Sequence, residues 1–136
     1  MADEGGMSAM EYYYHTIGRI VGYLSTKGLG RFDVDQAHSL QLGKSPEQSV
    51  DALQDCLGWM QKEGLIWCGK TQRSSSDKIT VKDVQLTAKG MSAIRVDTPH
   101  GPSIQRLVEN SDGADLDPET YTMIGDRIVE FAGTRS

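Results

Sequence analysis

The chain has 136 residues, and 19 acidic against 14 basic side chains give a formal net charge of -5. One domain of that length buries roughly two-thirds of the surface its unfolded chain exposes, and the acidic balance excludes a diffuse basic field for nucleic acid. The two cysteines, Cys56 and Cys68, lack metal or redox spacing, so a packing role in a reduced, cytoplasmic setting is expected.

Residues 1–9 are small, acidic and glycine-bearing, without the basic start and apolar run of a secretory signal, and are expected to be a frayed tail. No uninterrupted apolar run is long enough to span a bilayer. Tyr13, Ile17, Ile20, Val21 and Leu24 then recur at helical spacing and predict a first helix from Met10 to about Thr26. Gly28 and Gly30 end it, and Arg31-Phe32 suggests a short edge strand. Asp33 followed by Gln36 predicts a capping box opening a second short helix, with Val34, Ala37 and Leu40 inward and Gly43 as its stop.

Ser45-Pro46-Glu47-Gln48 is the clearest local signal. Ser45 can accept from the Gln48 amide, Pro46 suits the first helical position, and Glu47 favours the positive end of the helix dipole. The third helix runs to about Glu63, with Val50, Leu53, Leu57 and Met60 on one stripe and Ala52, Cys56 and Trp59 widening the buried arc. Gly64 closes it. Leu65 to Cys68 reads as a strand, and the polar stretch Thr71 to Lys78 as a mobile hairpin loop. Ile79 to Leu86 reads as the return strand. Its inward pairs Ile79, Val81 and Val84, Leu86 change parity, which predicts a bulge near Lys82-Asp83. Thr87 caps a fourth helix carrying Met91 and Ile94. A Pro/Gly linker, 97–103, separates the domain at 10–96 from an appendage at 104–136, whose last helix opens at Asp117-Pro118-Glu119.

The helix order, the turn Lys62-Glu63-Gly64-Leu65-Ile66 and the run Val84-Gln85-Leu86-Thr87-Ala88-Lys89-Gly90 resemble the winged helix-turn-helix superfamily. The likeness covers about Tyr13 to Ile94 and is nearest to MarR-like and PadR-like regulators and small prophage-borne domains. It implies a mainly α fold with a small antiparallel β-hairpin, the last helix being a helical appendage that often dimerises in such regulators. It also implies a third helix that lies in the DNA major groove, with the wing on the backbone.

The residues qualify that implication. Opposite its apolar stripe the third helix presents Glu47, Gln48, Asp51, Gln54, Asp55, Gly58 and Lys62, three carboxylates against one ammonium. Each carboxylate near a phosphate opposes binding by on the order of 0.5 to 2 kcal/mol. The wing is more basic, with Lys70, Arg73, Lys78 and Lys82 diluted by Asp77 and Asp83, and Lys44 precedes the helix. Two binding readings follow. A protein partner would meet Glu47, Asp51 and Asp55 with the tyrosine cluster, Tyr12 and Tyr14 being its contact candidates. DNA would instead be held by Lys44, Gln48, Lys70, Arg73, Lys78 and Lys82. Tyr121, Ile124, Ile128 and Phe131 share a face of the last helix and are the dimer candidates.

Enzyme chemistry is not legible. His15, His38 and His100 sit on separate segments, Cys56 falls on the buried arc, and Asp112, Asp115 and Asp117 lack calcium-loop spacing. Trp59 and Trp67 are expected to pack near the base of the sheet. No catalytic residue, metal or cofactor is expected. The reading is a non-enzymatic, cytoplasmic protein, a homodimer that works by binding a macromolecule, with protein favoured over DNA and no membrane partner.

Overall fold

The computed structural model describes residues 9–26, 30–35, 45–75, 78–95, 102–111 and 116–134. Within them the chain forms α1 (Ala9–Ser25), β1 (Phe32–Asp35), α2 (Pro46–Lys62), β2 (Ile66–Trp67), β3 (Thr71–Ser75), β4 (Lys78–Leu86), α3 (Ala88–Arg95), α4 (Ile104–Asn110) and α5 (Pro118–Thr134). The architecture is mainly helical with one small antiparallel sheet.

The element expected as the third helix is α2, and its cap is the predicted one. The Gln48 amide donates to Ser45 Oγ at 3.2 Å, and the Ser45 amide donates to Gln48 Oε1 at 3.3 Å. Two amides that the helix start would leave unpaired are thereby satisfied. Val50, Leu53, Cys56, Leu57 and Met60 are buried, while Glu47, Gln48, Asp51, Gln54, Asp55, Gly58 and Lys62 are exposed, as the helical wheel requires. Gly64 ends the helix region at φ 79°, a conformation glycine adopts without steric cost.

That end is tied to the start of α3. Thr87 Oγ1 donates to the Gly64 carbonyl, the Thr87 amide donates to the Leu65 carbonyl at 3.0 Å, and Lys89 Nζ donates to the Glu63 carbonyl at 2.9 Å. Thr87 also caps α3 by accepting from the Gly90 amide at 3.0 Å. A Cβ at Gly90 would lie 2.2 Å from the Leu65 carbonyl oxygen, so only glycine permits this approach.

In the sheet, β4 is central. Val81 pairs with both Val34 of β1 and Thr71 of β3, so these strands flank it on opposite edges. β2 pairs through Ile66 with Leu86 and Trp67 with Gln85, and the Gly69 amide donating to the Lys82 carbonyl at 2.7 Å carries the ladder on toward β3. Between Phe32↔Val84 and Val34↔Val81, β4 spends one more residue than β1. This is the predicted bulge at Lys82-Asp83, and Asp83 adopts φ 57° within it. Ile79, Val81, Val84 and Leu86 are consequently all buried.

Two expectations are corrected here. Asp33 does not open a helix: residues 32–35 form β1, and the Asp33 carboxylate accepts from the Asp83 amide at 3.3 Å and pairs with Lys82 at 3.5 Å. Pairing with β4 has overridden the local capping signal. Gln36, Ala37, Leu40 and Gly43 lie outside the described residues. The polar stretch after Lys70 is likewise not a loop throughout; 71–75 form β3, hydrogen-bonded to β4 and exposed along its whole length.

The terminal helices close the core. α5 lies against α1 with two reciprocal glycines at the contact. A Cβ at Gly18 would sit 1.9 Å from the Tyr121 carbonyl oxygen, and one at Gly125 only 1.7 Å from that of Tyr14. Tyr121, Ile124 and Ile128 join the same buried cluster as Ile17, Ile20, Leu53 and Ile66. α1 begins at Ala9, one residue before the expected start at Met10, and residues 1–8 lie outside the described residues.

Candidate functional site

The exposed face of α2 is one half of the candidate site, and β3 reaches it. Arg73 Nη2 lies 3.1 Å from Asp51 Oδ1, and Arg73 Nη1 donates to Gln54 Oε1 at 3.2 Å. The guanidinium fork suits two acceptors one helical turn of side chains can offer together. The basic hairpin and the acidic helix thus bind each other through this residue. Glu47 and Asp55 add further carboxylates to the same exposed helix face.

A pocket opens beside it, at the seam of α1, α2 and α5. Its volume is about 260 Å³, and Met10, Tyr13, Tyr14, Ile17, Asp55, Cys56, Trp59 and Val129 line it. Helical spacing on α1 sets Met10, Tyr13, Tyr14 and Ile17 on one side, and Asp55, Cys56 and Trp59 come from adjacent positions of α2. Among the described residues the walls are ring, thioether and aliphatic surface, with one carboxylate. The Tyr13 hydroxyl donates to Asp55 Oδ2 at 3.3 Å. Burial first, and the neighbouring Asp55 next, raise the Tyr13 phenol above its ordinary value. Burial pushes the Cys56 thiol up to about 12, so it is a protonated wall group and not a thiolate nucleophile at neutral pH.

The structure sorts the residues singled out in the sequence. Glu47, Asp51 and Asp55 are exposed and share one helix face. Tyr14 is half-buried at the pocket. Tyr12 is corrected: it is buried, its hydroxyl 3.1 Å from Ser49 Oγ, and it joins α1 to α2 instead of offering a free contact surface. Gln48 is spent on the Ser45 capping box. Lys70 and Lys78 are exposed, whereas Arg73 and Lys82 are engaged by Asp51 and Asp33. Lys44 lies outside the described residues. The dimer candidates Tyr121, Ile124 and Ile128 are covered by the same chain, and Phe131 is half-buried against the core. An apolar stripe must be covered, and here α1 covers it.

Trp67 corrects a further expectation. It is 60% exposed on β2 instead of packing at the base of the sheet, while Trp59 is half-buried at the pocket. The seam missed by sequence reasoning is made by Met10, Val129 and the tyrosines together; only the unburied ring expected among Tyr12, Tyr13 and Tyr14 hinted at it. His15 is fully buried, with Nδ1 3.3 Å from the Pro118 carbonyl oxygen and its ring edge-on to Tyr121. A carbonyl only accepts, so Nδ1 carries the proton. His38, His100, Asp112 and Asp115 lie outside the described residues, and Asp117 caps α5 by accepting from the Thr120 amide at 2.9 Å.

Among the described residues no group of three His, Cys, Asp or Glu side chains is placed to hold a metal ion, and no helix is long and apolar enough to cross a membrane. No family model, curated protein or solved structure matches the chain.

Proposed function

We propose that this is a non-enzymatic winged-helix protein that acts by binding another protein through the exposed face of α2. The observation that carries the reading is the engagement of Arg73 by Asp51 and Gln54. A wing that serves DNA directs its cations at phosphates; here the arginine is turned onto the helix that would enter the groove. Glu47 and Asp55 add charge that phosphates repel. A basic patch on a protein partner complements the same surface, and complementary charge governs the encounter rate and the choice of partner.

The alternative is a homodimeric DNA-binding regulator. The order helix, strand, capped helix and β-hairpin favours it, as do the exposed Lys70 and Lys78 on the hairpin. Its dimer contact would have to lie elsewhere than the covered stripe of α5.

One paired experiment separates the readings. Charge reversal by Glu47→Lys and Asp55→Lys is expected to abolish retention of a partner from native lysate, and duplex DNA is expected to show no sequence-specific binding at physiological salt. A specific site bound at about 10 nM, with log affinity falling steeply with log salt, would overturn the protein reading. In that case Lys70→Ala, by removing one phosphate-binding cation, should reduce the salt slope by about 0.9.

A further inference from the structure

The pocket at the α1–α2–α5 seam offers aromatic rings and a thioether that the macromolecular reading does not use, and shares only Asp55 with it. We propose that it binds an organic ammonium ion with an apolar body.

Size sets the first limit. An apolar cavity of about 150 Å³ admits benzene; one of about 260 Å³ has room for a ring and a small substituted head. It opens to solvent beside Met10, which is 54% exposed, so a ligand can enter without unfolding the seam. The walls set the second limit. Tyr13, Tyr14 and Trp59 offer aromatic rings, whose faces attract cations, and the Met10 thioether adds polarizable surface.

Charge then decides among ligands of that shape. Among the described residues, Asp55 is the one charged group on the lining. Its neighbour Asp51 is matched by Arg73, whereas Asp55 receives the neutral Tyr13 hydroxyl among the described residues. The Cys56 thiol on the same wall stays protonated and adds no second charge. An anion would be opposed by the carboxylate. A neutral ligand would cover the carboxylate without pairing it, which costs free energy. A cation alone satisfies both the rings and Asp55.

The test uses the full chain with Trp67→Phe, which removes an exposed indole and leaves Trp59 as the sole tryptophan. Trp59 fluorescence is followed while three probes of similar shape are titrated: benzyltrimethylammonium, its neutral carbon isostere neopentylbenzene, and phenylacetate. The ammonium is expected to bind about tenfold more tightly than the isostere, with phenylacetate weakest. Asp55→Asn should remove up to about fivefold from the ammonium and leave the isostere unchanged. Equal affinity for ammonium and isostere, no effect of Asp55→Asn, or no saturable response at millimolar ammonium would each overturn the proposal. A short peptide bearing one trimethyllysine supplies the final arm: tighter binding than the free ammonium assigns the head group to a partner's side chain, and weaker binding assigns it to a free small molecule. Because the readout needs no protein partner, failure here leaves the proposed protein-binding role of α2 to its own experiment.

Discussion

α5 meets α1 backbone to backbone, whereas β3 meets α2 through the tips of side chains. At the first interface two glycines let carbonyl groups of one helix approach the other where a single Cβ would collide. At the second, the Arg73 side chain is 33% exposed and that of Asp51 57%, so the pair stands open to solvent in part. Close packing stores large penalties for small changes of volume, while an exposed ion pair contributes little and exchanges readily with solvent or a partner. The difference separates a part of the molecule built to hold its shape from a part whose interactions can be replaced.

The sharpest way to break that contrast is Gly125→Ala. Its Cβ would meet the Tyr14 carbonyl, which belongs to a helix backbone and not to a yielding side-chain tip. Denaturant melts are expected to show a loss of about 3 kcal/mol, the upper part of the overpacking range. A loss below about 1 kcal/mol would mean that the two helices separate easily.

Alkaline titration probes the buried α1–α2 interface beside it. Burial pushes Cys56 from 9.0 up to about 12 and also raises the Tyr12 phenol. Both groups hold their protons more tightly folded than unfolded. The stability they contribute is complete below their unfolded values and is lost as pH rises toward the folded ones. From about pH 8 to about pH 10.5, Cys56 alone should remove about 2 kcal/mol. In Cys56→Ala the slope of stability against pH over this interval should flatten, whatever the absolute stability of the variant.

On the exposed side the expected effects are smaller. Gly58→Ala on α2 meets nothing within 4 Å and should stabilise by about 0.5 to 1 kcal/mol, since alanine loses less backbone entropy in a helix. The same substitution that damages α5 thus improves α2, and thermal melts of the two variants test this directly. Arg73→Ala should cost at most about 1 kcal/mol, measured as the shift in its denaturant midpoint.

Local signals specify α2 and the bulge. The Ser45 cap, the Gly64 stop and the parity change between Val81 and Val84 each lie within a few residues, and each imposes a geometry that neighbouring residues suffice to set. Asp33 misleads because its Asp-x-x-Gln spacing suits a helix cap, whereas its strand conformation depends on β4, about fifty residues along the chain. β3 carries no apolar alternation, so nothing in Thr71 to Ser75 announces a strand; its amides and carbonyls simply pair with β4. The exposed face of α2 is legible from its wheel. The reach of Arg73 to Asp51, the burial of Tyr12 and the pocket completed by Val129 depend on how distant elements meet, which periodicity does not encode.

The reciprocal glycines also set an order of events during synthesis. His15 and Pro118 touch across 103 positions of the chain, so α1 waits for α5 before its apolar side is covered. Closing so long a loop is entropically costly and slows completion of the core. Until α5 leaves the ribosome, Ile17, Ile20 and Val21 belong to an unfinished seam that is open to trapping by chaperones or by other nascent chains. The interface that makes the finished protein rigid is therefore also the one that leaves it vulnerable while it is being made.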